Sequence, residues 1–307
     1  MINLFNIPNH IIDTSKFSNL LHDKIVSEFE YSFKKYVGAK YACSLNSATN
    51  AIFLSLLSKN TEIVIPSLIP PVVANAILTS GNTLKFNDNV NWVGDSYVLH
   101  KFQDYKIVDS AQKVKRDQFK DECNPVDLMI FSFYPTKPIG GCDGGMVVSD
   151  DWDKIRKIKE LAFNGLTFSN NSWDREIKCP GYKMYMNSIQ AHIANKNLMD
   201  LDKKNDRLSR VRDIYNRELG YNNSSDHLYR IDVEYNQEFV EKMKGYGIMC
   251  GIHYGALHLN KLYNPNPVEN ENVNSVNVST RTVSIPFHEK LTKKQISFIS
   301  ETINEHT

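Results

Sequence analysis

Short apolar and β-branched runs alternate with amphipathic stretches over the first half of the chain, and this alternation predicts the order of the elements. Residues 20–36 carry apolar side chains at helical spacing and read as a helix, Ala42 to Leu45 as a strand and Ala51 to Leu57 as a second helix. Val64-Ile65, Lys106 to Val108, Leu128 to Phe133 and Met146 to Val148 are short and apolar enough to be buried strands. The alternation runs to about residue 165, as expected for a mostly parallel sheet covered by helices. Residues 166–180 read as a long polar loop, a length that goes with function or mobility. From Met184 to about Leu219 the pattern is helical and, beyond Asp200, densely charged. The expected fold class is therefore α/β, with a large domain over residues 1–205 and a small α+β domain over residues 206–307.

Two of the strands end on polar groups. Lys106-Ile107-Val108-Asp109-Ser110-Ala111-Gln112 delivers Asp109 and Gln112, and Phe131-Ser132-Phe133-Tyr134-Pro135-Thr136-Lys137 delivers Ser132 and Lys137. Open α/β sheets gather ligand chemistry at the carboxyl ends of their strands. An amine, a carboxylate and a hydroxyl there suggest pyridoxal phosphate (PLP): the amine condenses with its aldehyde, the carboxylate keeps the pyridine nitrogen protonated, and the hydroxyl meets the phosphate. Ser47, Ala48 and Thr49 follow a strand and open a helix, where free N–H groups point at an anion. Taken singly, each residue has an ordinary reading: Ser47 as an N-cap, Lys137 as an exposed loop lysine, Asp109 as a turn cap.

The ordered set of segments separates these readings. The two strand ends resemble the VIEDAAQ and FSFFPTK motifs of the DegT/StrS-type nucleotide-sugar aminotransferases, and Ser47-Ala48-Thr49-Asn50-Ala51 resembles that family's SGTAA phosphate turn. Ile65-Pro66-Ser67 with Ala74-Asn75-Ala76-Ile77 resembles VPSFTFVATANAI, Gly140 to Gly145 the Gly-rich turn after the lysine, Gly181 to Met186 GYNYRM, and His253-Tyr254 to His258 the HYxPLH segment. Ser279-Thr280-Arg281 with Val283 to Pro286 resembles the family's closing strand. The resemblance covers nearly the whole chain. It implies the aspartate aminotransferase-like fold (PLP fold type I) and a homodimer with shared active sites. Glutamate is the implied donor, and a 4-keto-6-deoxy sugar on a nucleoside diphosphate the implied acceptor. A 3-keto sugar acceptor, a PLP-dependent dehydratase and a degenerate non-catalytic member are the alternatives; the dehydratases carry His where this chain has Lys137.

The resemblance also implies roles. Lys137 binds the aldehyde and then moves a proton between substrate and cofactor carbons, with a pKa lowered by burial beside a cationic cofactor. Asp109 partners the pyridinium nitrogen, Gln112 bonds near the ring hydroxyl, and Ser47, Ala48, Thr49 and Ser132 hold the phosphate. His253, Tyr254 and His258 are candidate substrate contacts. Three departures stand out. Pro70 falls where the family has an aromatic stacked on the ring, so packing there is expected to be aliphatic. Lys183 replaces the Asn that reaches the neighbouring subunit's phosphate, where it either serves the same phosphate as a point charge or is a solvated lysine. The stretch from Phe86 to Lys106 is short, so a helix, or a helix and a strand, is expected to be missing.

Composition narrows the partners. A formal net charge of +1 with scattered basic residues gives no case for nucleic acid or an anionic membrane. The five cysteines have no CxxC spacing and are odd in number, so neither a zinc site nor a disulfide framework is expected. Reduced thiols, no leader-like opening and no membrane-length apolar run fit a cytoplasmic enzyme without a metal.

Overall fold

A computed structural model of the protein describes residues 1–167, 172–268 and 271–307. Its elements are α1 (Ile25–Val37), β1 (Tyr41–Leu45), α2 (Ala48–Leu56), β2 (Glu62–Pro66), α3 (Pro71–Thr79), β3 (Thr83–Asn87), β4 (Tyr97–Lys101), β5 (Lys106–Asp109), α4 (Gln118–Glu122), β6 (Leu128–Ser132), β7 (Gly145–Ser149) and α5 (Trp152–Ala162). Then come α6 (Ser188–Met199), α7 (Leu201–Leu219), β8 (Tyr229–Asp232), α8 (Asn236–Gly245), α9 (Val273–Arg281), β9 (Thr282–Ile285) and α10 (Lys293–Asn304).

The central sheet has the order β1-β7-β6-β5-β4, with β2 and β3 paired in parallel beside it. It is mixed: β1, β6 and β5 run one way, β7 and β4 the other. Connection length explains why two strands, β7 and β4, run against the others. Residues 133–144 and 102–105 hold no helix, and connections without a crossover join antiparallel neighbours. Between β3 and β5 there is no helix, as expected from the short stretch, whereas a strand, β4, is present and forms the sheet's edge.

Period-two alternation divides the strand side chains between two cores. Met129, Phe131 and Val148 face α1 and α6, joining Phe29, Phe33 and Ala191; Leu128, Ile130 and Val147 face α2, α3 and α5, joining Ile52, Ala74 and Ile155. The Phe33 ring lies 4.9 Å from that of Phe131 and 5.3 Å from that of Phe133. α1 stops where Gly38 turns left-handed at φ 81°, a conformation glycine adopts without strain.

The expected helix from Met184 to Leu219 is two helices broken at Asp200, a residue that favours helix ends over interiors. The expected domain boundary at 205/206 falls inside α7. A third core runs from Leu208 to Ile303, built from α7, β8, α8, β9 and α10, with Ile2 packed against it. Ser279-Thr280-Arg281, expected in a strand, ends α9: the Ser279 and Thr280 hydroxyls donate to the carbonyls of Val276 and Asn277, three residues back. Of the expected loop 166–180, residues 168–171 lie outside the described residues. Among the described residues, no helix is long and apolar enough to cross a membrane.

Candidate active site

The turn from β1 into α2 makes one end of the site. Ser47 is the N-cap of α2 in extended conformation, and its hydroxyl accepts the Asn50 N–H at 3.1 Å. That leaves the Ala48 and Thr49 N–H groups, the first two of the helix, free for an anion. As α2's first residue, Ala48 needs no conformation that alanine avoids. The turn is clamped from behind: the Asn46 N–H donates to Met184 O at 2.8 Å and Gln190 Nε2 to Asn46 O at 3.1 Å. Ser132 comes alongside because β7 lies between β1 and β6, with Gly145 opposite Leu45 on one side and Ser132 on the other. Only glycine fits at 145, since a Cβ there would stand 2.5 Å from Ala48 N.

Asp109 and Gln112 make the other end. Asp109 is buried and its carboxylate accepts the Ala111 N–H at 2.9 Å and the Tyr97 O–H at 3.0 Å. Burial pushes its pKa up, while those two bonds and the nearby Lys137 charge pull it down. Gln112, also buried, accepts the Gly94 N–H at 2.7 Å and donates to the Tyr254 hydroxyl at 2.8 Å. Burial and the Asp109 charge keep Tyr97 and Tyr254 protonated, so Tyr97 stays a donor to Asp109. Trp92 lies between them, its ring 4.6 Å from Tyr97 and nearly parallel to Tyr254 at 6.2 Å, and its Nε1 donates to Leu68 O. Pro70 caps α3 two residues beyond Leu68.

Lys137 enters from the loop after β6. That loop folds tightly: the Lys137 N–H donates to Tyr134 O and the Gly141 N–H to Phe133 O, and Gly140, at φ 59°, would set a Cβ 2.7 Å from Pro135 O. Among the described residues the Lys137 ammonium has no hydrogen bond or ion pair. Burial pushes its pKa down to about 8, against an opposing pull from the Asp109 charge.

The remaining candidates are placed differently. Lys183 is exposed, one residue before the Met184 carbonyl that holds the β1–α2 turn. His253 lies in a loop; its Nδ1 meets Ser284 Oγ at 2.9 Å, and burial, with the Lys137 and Arg230 charges, pushes its pKa down to about 4. His258 is 1% exposed and bonds Ser67 Oγ through Nδ1 at 2.5 Å, within the packing between its loop and β2. Sequence reasoning missed Tyr97 and Trp92. Tyr97 is a site residue only because the β4–β5 register sets it opposite Asp109, and periodicity carries no signal for register.

A helix start with free N–H groups at one end and an amine near a buried carboxylate at the other are the groups that an enzyme acting on a carbonyl or amine of a phosphate-bearing compound would need. Comparison with known proteins gives the class its name. The chain belongs to the DegT/DnrJ/EryC1/StrS aminotransferase family, whose model matches residues 7–91 and 107–304, and it is an aminotransferase. The unmatched residues between coincide with the stretch that lacks the helix. The UDP-4-amino-4,6-dideoxy-N-acetyl-β-L-altrosamine transaminase of Campylobacter jejuni is 28% identical, over 97% of this chain and 95% of that one. The spore coat polysaccharide biosynthesis protein SpsC of Bacillus subtilis is 26% identical, over 91% and 89%. The Streptococcus pneumoniae protein Spr1654 in its PLP form shares the fold with a TM-score of 0.80, at 17% identity over 99% and 98% of the two chains.

Proposed function

We propose that the protein is a PLP-dependent aminotransferase that moves an amino group from glutamate to a 4-keto-6-deoxy sugar on a nucleoside diphosphate, in the making of an aminosugar for a surface glycan. The observation that carries this reading is the convergence of Lys137, Asp109 and Gln112 opposite the free N–H groups of Ala48 and Thr49. The residues fit the cofactor: the helix start and Ser132 suit its phosphate, and the buried Asp109 its ring nitrogen. Bound there, PLP supplies an electron sink for the carbon that gains or loses nitrogen.

The chain's own groups do the rest. Burial keeps part of the Lys137 population as a free amine near neutrality, the form that attacks a carbonyl or takes a proton. Asp109, oriented by Tyr97 and Ala111, holds the ring-nitrogen proton. Gln112 is fixed at both ends by Gly94 and Tyr254, so its position is set before ligand arrives. The names of the relatives support a nucleotide-linked sugar as acceptor, and the Campylobacter name points to C4 of a 4,6-dideoxy sugar. The homodimer rests on the family resemblance.

Purified protein mixed with PLP should develop a long-wavelength absorbance band that borohydride fixes onto Lys137 and that glutamate bleaches. A band that persists in Lys137→Ala would sink the assignment of the lysine. Bleaching by other amino acids but not by glutamate would reassign the donor. UDP- and dTDP-linked 4-keto and 3-keto sugars, offered to the aminated enzyme, would then identify the acceptor by recovery of the band.

A further inference from the structure

The geometry points to Arg230 as the anchor for an oxyanion of the substrate, a carboxylate or a phosphate, at the small-domain wall of the site. β8 and β9 pair with Arg230 opposite Ser284, and residues paired this way share a face of the ribbon. The other face, Tyr229, Ile231, Val283 and Ile285, is packed into the third core. Arg230 therefore lies on the face from which Ser284 Oγ meets His253 Nδ1, one residue from the Tyr254 that bonds Gln112.

Among the described residues no carboxylate forms an ion pair with it. Arg230 is half-buried, and its only hydrogen bonds among the described residues run through its backbone to Asn223. The nearby acids are engaged elsewhere, Asp232 by Arg281 and Asp226 by Arg212 and Lys115. The groups that do share its surroundings are basic or neutral: His253, with Lys137 beyond it, and Tyr254. A partly buried guanidinium among bases and without a carboxylate is an unfilled anion site, because buried charge is ordinarily paired, and its planar fork suits two oxygens of one anion.

The assignment of that anion to a substrate rests on the function proposed above, so the first measurement is made apart from turnover. Glutarate and pyrophosphate are titrated by calorimetry into PLP-free wild-type protein, Arg230→Gln and Arg230→Lys. Loss of glutarate binding by about tenfold or more in Arg230→Gln, with a smaller loss in Arg230→Lys, assigns the site to the donor's carboxylate; the same pattern for pyrophosphate assigns it to the nucleotide. Arg230→Lys keeps the stem and charge, so it reads the fork even where Arg230→Gln fails to fold. Wild-type protein that binds neither anion, or variants that bind both as wild type does, would overturn the inference. With PLP loaded, the glutamate concentration for half-maximal bleaching should rise by the same factor if the carboxylate is the ligand. Wild-type protein that binds glutarate but is not bleached by glutamate would refute the donor and leave the anion site standing.

Discussion

Replacing Asp109 by Asn is expected to speed the capture of PLP by the apoprotein at neutral pH while sharply slowing transamination, and the two opposite effects come from one charge. In the wild-type site burial lowers the Lys137 pKa from 10.5 to about 8. At pH 7 the neutral amine then rises from about 1 in 3000 to about 1 in 10, roughly 300-fold more reactive lysine than an exposed one offers. The Asp109 charge opposes that fall. Without it the pKa drops further and the neutral fraction climbs towards one, so the gain in capture rate at pH 7 is capped at about tenfold. Turnover should fall by roughly 100-fold or more, the scale of a lost preorganised charge at a reacting centre. Stopped-flow absorbance with PLP between pH 6 and pH 10 measures the first effect. Wild-type capture should rise through a midpoint near pH 8 and level off, and Asp109→Asn should shift that midpoint down. A wild-type midpoint near 10, or an upward shift in the variant, would refute the reasoning. Stability has a matching sign. Between pH 8 and pH 10.5 the unfolded chain holds a proton on this lysine that the folded one has released, so the Lys137 contribution to stability rises with pH across that window.

Gly145→Ala should weaken PLP binding by more than about tenfold and lower stability by about 1–3 kcal/mol, because the added carbon meets backbone at 2.5 and 2.6 Å, where nothing can swing aside; fluorescence titration with PLP and urea unfolding check the two. Phe33→Ala removes a fully buried ring from the aromatic cluster against β6 and should cost about 3–5 kcal/mol by urea unfolding, with little change in cofactor affinity per folded molecule. Tyr97→Phe deletes the hydroxyl that helps keep Asp109 ionised, so the acid limb of kcat/KM should move to higher pH; a limb that does not move would mean that Asp109 does not govern it.

How far the site could be read from the sequence depended on how local each part is. The helix start proposed for the phosphate was legible because it lies within a few residues: Ser47 caps its own helix and the free donors are the next two N–H groups. Asp109, Ser132 and Lys137 were legible as polar groups at the ends of apolar runs, although each was ordinary alone. What could not be read was whatever depends on strand pairing. Tyr97 meets Asp109 through the β4–β5 register, Ser132 reaches the β1–α2 turn across β7, and Arg230 meets the His253 loop through Ser284. A one-residue slip would turn any of these side chains to the opposite face, and alternation of apolar residues does not record which partner a strand takes. The mixed sheet has the same origin, since its antiparallel pairs follow from two helix-free connections, one of which ends the stretch where the chain departs from its family's length. In that stretch the missing helix leaves Trp92 and Gly94 to complete the wall around Gln112, with the Gly94 carbonyl taking the Ser225 hydroxyl. The shortened segment therefore joins the Gln112 end of the candidate site to the residues just before β8, the strand that carries Arg230, and a change in one bears on the other through two hydrogen bonds.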